Sequence, residues 1–549
     1  MQSVPPRYFS TNEAIFGTSN LESRIAEGSL QTVGLAEAII TGQAPDSGLF
    51  MPTHIPQINP EAILRMKDMS YAQVFAETMQ PFFEGTLPRE TLENIAEEAY
   101  PEKDEKSAFR PFIEKISEID YIGRLDEGPT FAFKDYAAQV LFRIIEALMK
   151  QDSGEVESLG REFQKKYENA KNLGSLGLAY AKAMPANINR DMDFRKHLSD
   201  IDLMAFIVAT SGDTGGAMGH AVLNRERMWM AILHSAFIGK EISELQAKQM
   251  DTLEGNTYAI WTKTDFDGNQ KIVQDLLKDS ELKYMNMNSA NSINIGRLIP
   301  QIAYYFYIYS RVAEHAGEEI MFSVPCGNLG NIVAGLFAIK MGLPIKLLMG
   351  VNENDVAKRF YRTGDYAPAE KTVTTFSNAM DVNWPSNMRR LFQLYGGQLI
   401  EGKDPDDPER KIITQSILPN LHLMRQDIVG AYRVSNEETL NGIKEFWEKN
   451  YMIGSLHSTS EPHTEVGRQA AQRFRQQTGY NGKIITIGTA HPAKFPESLL
   501  DLGIKPIPPT ALYRLHNRPH GKHFEVENDY NAVKSLVMQF HQQELAKYK

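Results

Sequence analysis

The sequence predicts an α/β protein of parallel sheets with flanking helices, preceded by a small, mainly helical N-terminal domain over residues 1–100. Two observations carry that prediction. From about residue 120 onward, short β-rich runs alternate with longer helical stretches, the pattern of strands joined by crossover helices. Two of those runs, MAFIVAT and IMFSVP, lead straight into glycine-rich turns that open helix-like sequence. In open α/β sheets ligands bind where strand ends meet such turns.

Taken in order, residues 1–100 hold apolar stretches cut by proline and glycine, as in GQAPDSGLFMPTHIPQINP from Gly42. The larger region, 101–549, is expected to place strands at MAFIVAT, WMAILH, YAIWTK, IMFSVP, IKLLMGV and KIITIGT. Between about 147 and 203 a polar, lysine- and glutamate-rich stretch, including SGEVESLGREFQKKYENAKN, has few β-branched residues and is predicted to be an exposed helical insertion. EGKDPDDPER, from Glu401, reads as a charged loop.

A chain of 549 residues can bury several cores, and 42% apolar with 23% charged residues is ordinary globular usage. The net charge of −11 excludes an overall basic field for nucleic acid or anionic lipid, so any anion must meet a local site. The start, MQSVPPRYFSTNEA, lacks the basic and apolar regions of a secretory signal. No window reaches the roughly 18 apolar residues of a membrane span; the nearest, Ile302 to Tyr309, is short and tyrosine-rich. Cys326 is the single cysteine, which agrees with a reducing, cytoplasmic setting.

Three loops hold the candidate chemistry. In LDEGPTFAFKDYAAQ, Lys134 follows an aromatic run and precedes the expected start of a helix. If Phe131 and Phe133 bury it, its amine becomes a nucleophile at lowered pKa; the commoner reading of such a residue is a surface lysine paired with Asp135. In VPCGNLGNIVAG, Gly327 and Gly330 let successive N–H groups converge on one anion at a helix N-terminus, although such glycines also serve plain turns. In ATSGDTGGA, the Ser211 and Thr214 hydroxyls and the N–H groups around Gly212 could receive an anion, whereas Asp213 reads as a cap, an ammonium partner or an orienting group. Cys326 has no paired base in sequence, His463 and His491 read as backbone-holding histidines, and no HExxH spacing supports a metal.

Together and in this order, EGPTFAFKD, ATSGDTGG, PCGNLGN and TAHPAKF resemble the motifs of threonine synthases. GQAPDSGLFMP, NSINIGRL, NENDVAKRFYRTGDY, NAMDVNWPSN and EPHTEVG are similar to the longer microbial and fungal branch of that family, so the resemblance spans nearly the whole chain. It implies two α/β lobes of the pyridoxal-phosphate fold type II, enclosing pyridoxal 5'-phosphate. By the same resemblance, Lys134 would hold the cofactor as a Schiff base and Gly327, Asn328, Leu329, Gly330 and Asn331 would cradle its phosphate. Thr489 would meet the pyridine nitrogen, and its neutral hydroxyl would leave that nitrogen largely unprotonated. The implied substrate, O-phosphohomoserine, carries a carboxylate and a phosphate. Ser211, Gly212, Asp213 and Thr214 would take one substrate anion, and Asn294 and Arg297 would meet the phosphate.

The chain departs from the family pattern at four places. Glu127 stands where histidine is expected, Asn331 replaces the usual aspartate, DFDGNQ at 265 is less acidic, and the insertion lengthens the Lys134–Ser211 segment. A carboxylate at 127 would repel a doubly anionic substrate if it faced the site. The readings set beside threonine synthesis are a related phospho-lyase and a non-catalytic binding protein on the same fold.

Overall fold

The computed structural model describes residues 5–13, 18–102, 108–167, 175–198, 200–369, 371–403, 411–415, 420–451 and 459–548. Strands β1 (Tyr8–Ser10) and β2 (Phe50–Pro52) form a small antiparallel ribbon. Next come β3 (Phe112–Lys115), β4 (Asp120–Arg124), β5 (Met204–Ala209), β6 (Met228–Ser235), β7 (Thr257–Thr262) and β8 (Met287–Ser289). They are followed by β9 (Ile320–Pro325), β10 (Ile345–Val351), β11 (Leu399–Lys403), β12 (Lys411–Gln415), β13 (Ile428–Arg433), β14 (Ile484–Gly488) and β15 (His523–Val526).

Two sheets organise the molecule. One has the order β13-β10-β9-β14-β4-β3 and is parallel except for its β3–β4 edge; the other, β15-β7-β6-β5-β8, is parallel throughout. All six strand runs expected from sequence are strands. β5, β6, β9 and β14 are buried along their whole length, which is why each reads as a continuous apolar run. The expectation missed β3, β4, β8, β13 and β15, whose sequences are short or charged, as in FIEK and DYIGR. EGKDPDDPER is not loop from its first residue, because Glu401–Lys403 pair with Lys411–Ile413 in an antiparallel ribbon; residues 404–410 lie outside the described residues.

The N-terminal region is mainly helical, with helices Thr18–Ala26, Leu35–Thr41, Pro60–Arg65, Tyr71–Phe83 and Arg89–Ala99. Tyr71–Phe83 opens with a reciprocal capping box between Ser70 and Gln73. Its apolar face joins the larger lobe's core: Tyr71 meets Tyr100, Tyr136 and Tyr307 edge-on at centroid distances of 4.6, 5.2 and 5.3 Å. The stretch around Ile302 is the buried helix Ile302–Val312, and no helix among the described residues is long and apolar enough to cross a membrane. In the predicted insertion, helices Ser153–Tyr167 and Ser175–Leu198 are present, and Arg195 ties the second to the backbone oxygens of Gly85 and Thr86.

The parallel topology positions the site. The C-terminal ends of β4, β9 and β14 in the first sheet and of β5 and β8 in the second all open into the loops that carry the motifs. Behind the second sheet, helix Tyr530–Leu545 supplies a separate core, where Phe540 stacks on Tyr258 at 4.1 Å and Trp229 Nε1 donates to His541 Nδ1 at 3.1 Å. Phe540→Ala is expected to remove about 3–5 kcal/mol of stability. A lowered urea midpoint at unchanged m-value checks it.

Candidate active site

A cleft of about 900 Å³ opens between the sheet ends. Lys134, Ser211, Asp213, Thr214, Arg297, Gly327, Asn328, Leu329, Gly330, Asn331 and Thr489 line it, so the motifs scattered along the chain meet in one place. Gly212 and Asn294 do not line it.

The Lys134 loop is held by backbone bonds. Phe133 N–H donates to the Thr489 carbonyl at 2.8 Å, and Ala132 bridges Ala490. Asp135, fully buried, accepts from Thr130 N–H at 2.8 Å and from its hydroxyl at 2.7 Å, which pins the GPT turn. Its carboxylate is therefore not a partner for Lys134, and the surface-pair reading falls away. Desolvation is the main force pushing the Lys134 amine down to about 8; Asp213 opposes it, while Lys494 and Arg297 add to it.

The glycine loop ends in a helix N-terminus without a side-chain cap, Gly330–Lys340, entered through Leu329 in the left-handed region at φ 61°. Its first-turn N–H groups are the kind of donor set that receives a phosphate. Gly327 is needed for packing, since a Cβ there would lie 2.9 Å from Met380 Cα. Asn331 Oδ1 accepts from the hydroxyls of Tyr304 at 2.8 Å and Tyr305 at 2.6 Å, which leaves its Nδ2 buried without a partner. Arg297 is 3% exposed; Nη1 bonds the Ala290 carbonyl and Met218 Sδ, and Nε has no partner. Burial lowers its pKa to about 10, so it stays a cation at neutral pH.

The third loop is more constrained than its sequence suggests. Thr210 Oγ1 accepts from the N–H groups of Gly212 at 2.9 Å and Gly215 at 3.0 Å. Gly212 has φ 136°, and a Cβ there would strike Gln246 at 2.4 Å, so its contribution is backbone shape. Asp213 accepts from Lys494 Nζ at 2.7 Å and Gln246 Nε2 at 3.0 Å. Burial would raise its pKa, but Lys494 and then Lys134 hold its carboxyl well below the usual range. Lys494 is fully buried and also donates to the Thr130 carbonyl at 2.9 Å. The sequence reading passed over it, although a lysine inside the compact TAHPAKF was its signal.

Asn294 differs from expectation. Its oxygen caps Gly296 N–H at 2.8 Å and its nitrogen donates to the Ile39 carbonyl at 2.9 Å, so it shapes the turn that delivers Arg297. Cys326 is buried, its thiol directed to the Val324 carbonyl and its pKa raised by desolvation, as suits a packed side chain. His463 spends both ring nitrogens: Nδ1 on Glu461 at 2.6 Å, and Nε2 on Ala379 N–H at 3.1 Å. Thr489 Oγ1 lies 3.1 Å from Glu461 Oε1, a buried carboxylate that the sequence reading did not single out. Glu127 is exposed and does not line the cleft, which removes the expected repulsion of an anionic ligand.

The same arrangement of chain is found in known proteins. Residues 25–100 match the family region described as threonine synthase N terminus, and residues 464–537 match that described as threonine synthase, C-terminal. A threonine synthase of Haemophilus influenzae is 30% identical over 512 residues, covering 92% of this chain and 97% of the relative. The chain belongs to the threonine synthase family. Among solved threonine synthases, the yeast structure superposes with a TM-score of 0.74 at 26% identity over the full length of both chains. A PLP-bound threonine synthase from Brucella melitensis gives 0.73 at 25% identity, covering 98% of this chain and 100% of that one. The C-terminal family match includes Thr489 and Lys494, and so reaches the floor of the cleft.

The depressed Lys134 pKa has a direct consequence. Its amine is protonated below about pH 8 and free above it. Acylation of Lys134 by an amine-directed reagent, followed by peptide mass spectrometry, should reach half its limiting rate near pH 8. Exposed lysines should do so near about 10.4.

Proposed function

We propose that this protein is a threonine synthase, converting O-phosphohomoserine and water to threonine and phosphate with pyridoxal phosphate as cofactor. The observation that carries the reading is a lysine amine lowered to about 8 that shares one cleft with an uncapped helix N-terminus and a guanidinium lacking a carboxylate partner among the described residues. Two separate anion sites are what a phosphorylated cofactor and a phosphorylated substrate require together. The donor sets fit: the unpartnered Asn331 amide and the N–H groups of Gly327 to Asn331 suit the cofactor phosphate, and Arg297 suits the substrate phosphate. Lys134 would hold the cofactor, and Thr489 would face its ring nitrogen.

Bound there, the cofactor supplies an electron sink that makes the substrate's hydrogens acidic. The chain's residues do the rest. Lys134, free of charge at mildly alkaline pH, serves as the base at the substrate Cα and returns a proton later in the cycle. The loop 211–214 receives the substrate carboxylate through backbone N–H groups and the hydroxyls of Ser211 and Thr214; Asp213, engaged by Lys494 and Gln246, orients that loop. Arg297 draws off charge as the phosphate departs. Approach of the two lobes would hold bulk water out until the addition step. A cytoplasmic location suits this reading, since the single buried cysteine calls for no oxidising compartment.

Purified protein given pyridoxal phosphate and O-phosphohomoserine should release threonine and phosphate in equal amounts. Phosphate with 2-oxobutyrate as the main product would identify a phospho-lyase instead. Lys134→Ala should abolish turnover, and unchanged turnover would remove the lysine from the mechanism. Arg297→Met should weaken substrate capture, lowering kcat/KM about 10- to 100-fold through loss of charge-assisted hydrogen bonds.

A further inference from the structure

We propose that Glu461 is a positioning residue that acts through Thr489 to hold the cofactor's pyridine nitrogen in its protonated, N–H form. The inference rests on the reading that pyridoxal phosphate occupies this cleft with its ring nitrogen at Thr489. It follows from the direction of every hydrogen bond around one buried carboxylate.

Glu461 is 0% exposed and accepts from five donors. These are the backbone N–H groups of His463 and Thr464, each at 2.7 Å, the Thr464 hydroxyl at 2.5 Å, His463 Nδ1 at 2.6 Å and the Thr489 hydroxyl at 3.1 Å. The backbone N–H groups, one on each carboxylate oxygen, and His463 Nδ1 cannot take a proton from Glu461 in exchange. The backbone groups only donate. Thr464 Oγ1 already accepts the Thr489 N–H at 3.1 Å, and His463 Nε2 accepts the Ala379 N–H at 3.1 Å, which places that ring's single proton on Nδ1. A carboxylate surrounded wholly by donors is ionised. Burial opposes this, but His463 and Thr464 hold Glu461 below its ordinary value.

The consequence falls on Thr489. A hydroxyl has one proton, and this one is committed to Glu461. Only its lone pairs are left for a group in the cleft, so it can accept but not donate. An unprotonated pyridine nitrogen also offers only a lone pair, and the two would repel. A protonated nitrogen would donate to Thr489, and the negative charge of Glu461 would stand one hydroxyl away to balance it. Turning the hydroxyl towards an unprotonated ring would forfeit a charge-assisted bond to a buried carboxylate. The bonding thus reverses the expectation that a hydroxyl at 489 leaves the ring nitrogen unprotonated.

The test is the nitrogen-15 resonance of pyridoxal phosphate labelled at the ring nitrogen and loaded on the full-length protein. The wild type should show the protonated position. Glu461→Gln, whose amide can donate to Thr489 and free the hydroxyl to donate to the ring, should shift the resonance to the unprotonated position. Because Glu461 also caps a helix, Thr489→Val provides a second route to the same shift, and Thr489→Ser should keep the wild-type position. An unprotonated wild-type nitrogen with cofactor bound at Lys134 would overturn the relay, as would a protonated nitrogen in both Glu461→Gln and Thr489→Val. Absence of cofactor binding, or binding that Lys134→Ala leaves unaltered, would overturn the functional reading itself, and these outcomes are separate in the spectrum.

Discussion

The ion pair between Lys494 and Asp213 is the interaction on which the rest of the site depends. Both partners are buried, and the pair draws together three loops that belong to different sheet ends. Lys494 follows β14, Asp213 follows β5, and Thr130, which also accepts from Lys494, lies in the loop that presents Lys134. Desolvating two charges is expensive, and removing one partner of such a pair typically costs about 3–5 kcal/mol because the other is left buried and unpaired. The pair therefore resists any arrangement of the lobes that separates these loops. It also sets the charge around Lys134. Asp213 favours the protonated amine, whereas Lys494 and Arg297 disfavour it, and burial disfavours it most. The balance leaves an amine near 8, reactive yet still available to return a proton.

Much of this was legible in the sequence because parallel strands buried on both faces must be apolar along their length. MAFIVAT, IMFSVP and KIITIGT are recognisable for that reason, and the loops that follow such strands are where ligands bind in this architecture. Lys134, the 327–331 loop, Arg297 and Thr489 follow from motifs at those ends. Lys494 and Glu461 did not emerge, because their importance lies in partners that sequence does not place nearby. Lys494 meets Thr130 across 364 residues, and Glu461 meets Thr489 across 28. Asn294 shows the converse. Its motif is in place, yet its amide serves Gly296 and Ile39, and no spacing rule tells which way a short polar side chain at a helix start will turn.

Two of the departures from the family pattern acquire physical meaning in the structure. Glu127 does not line the cleft, and desolvation, with Asp126 beside it, raises its carboxyl to about 7, so it is no fixed full charge set against a bound anion. Asn331 is the more informative. Tyr304 and Tyr305 both reach its side-chain oxygen, and the amide nitrogen is left as a neutral donor beside the helix N-terminus. An aspartate at this position would offer the same oxygen to the two tyrosines but would bring a second oxygen and a negative charge towards the cradle.

The state of Glu461 is built into the fold rather than left to solvent. It is the N-cap of helix Pro462–Thr478, with Pro462 at the first helical position, and its two oxygens take the N–H groups of His463 and Thr464. The positive end of a helix favours a negative cap, and a carboxylate accepting such N–H groups gains further from the alignment of the peptides behind them. The helix that fixes the charge also fixes its neighbours. His463 and Thr464 occupy the next positions of the same turn, each presenting a proton to the carboxylate and an acceptor to another loop. Neutralising Glu461 would thus weaken a helix start, misdirect two side chains and release the Thr489 hydroxyl together. A single cap in EPHTEVG ties the folding of one helix to the electrical environment at the floor of the cleft.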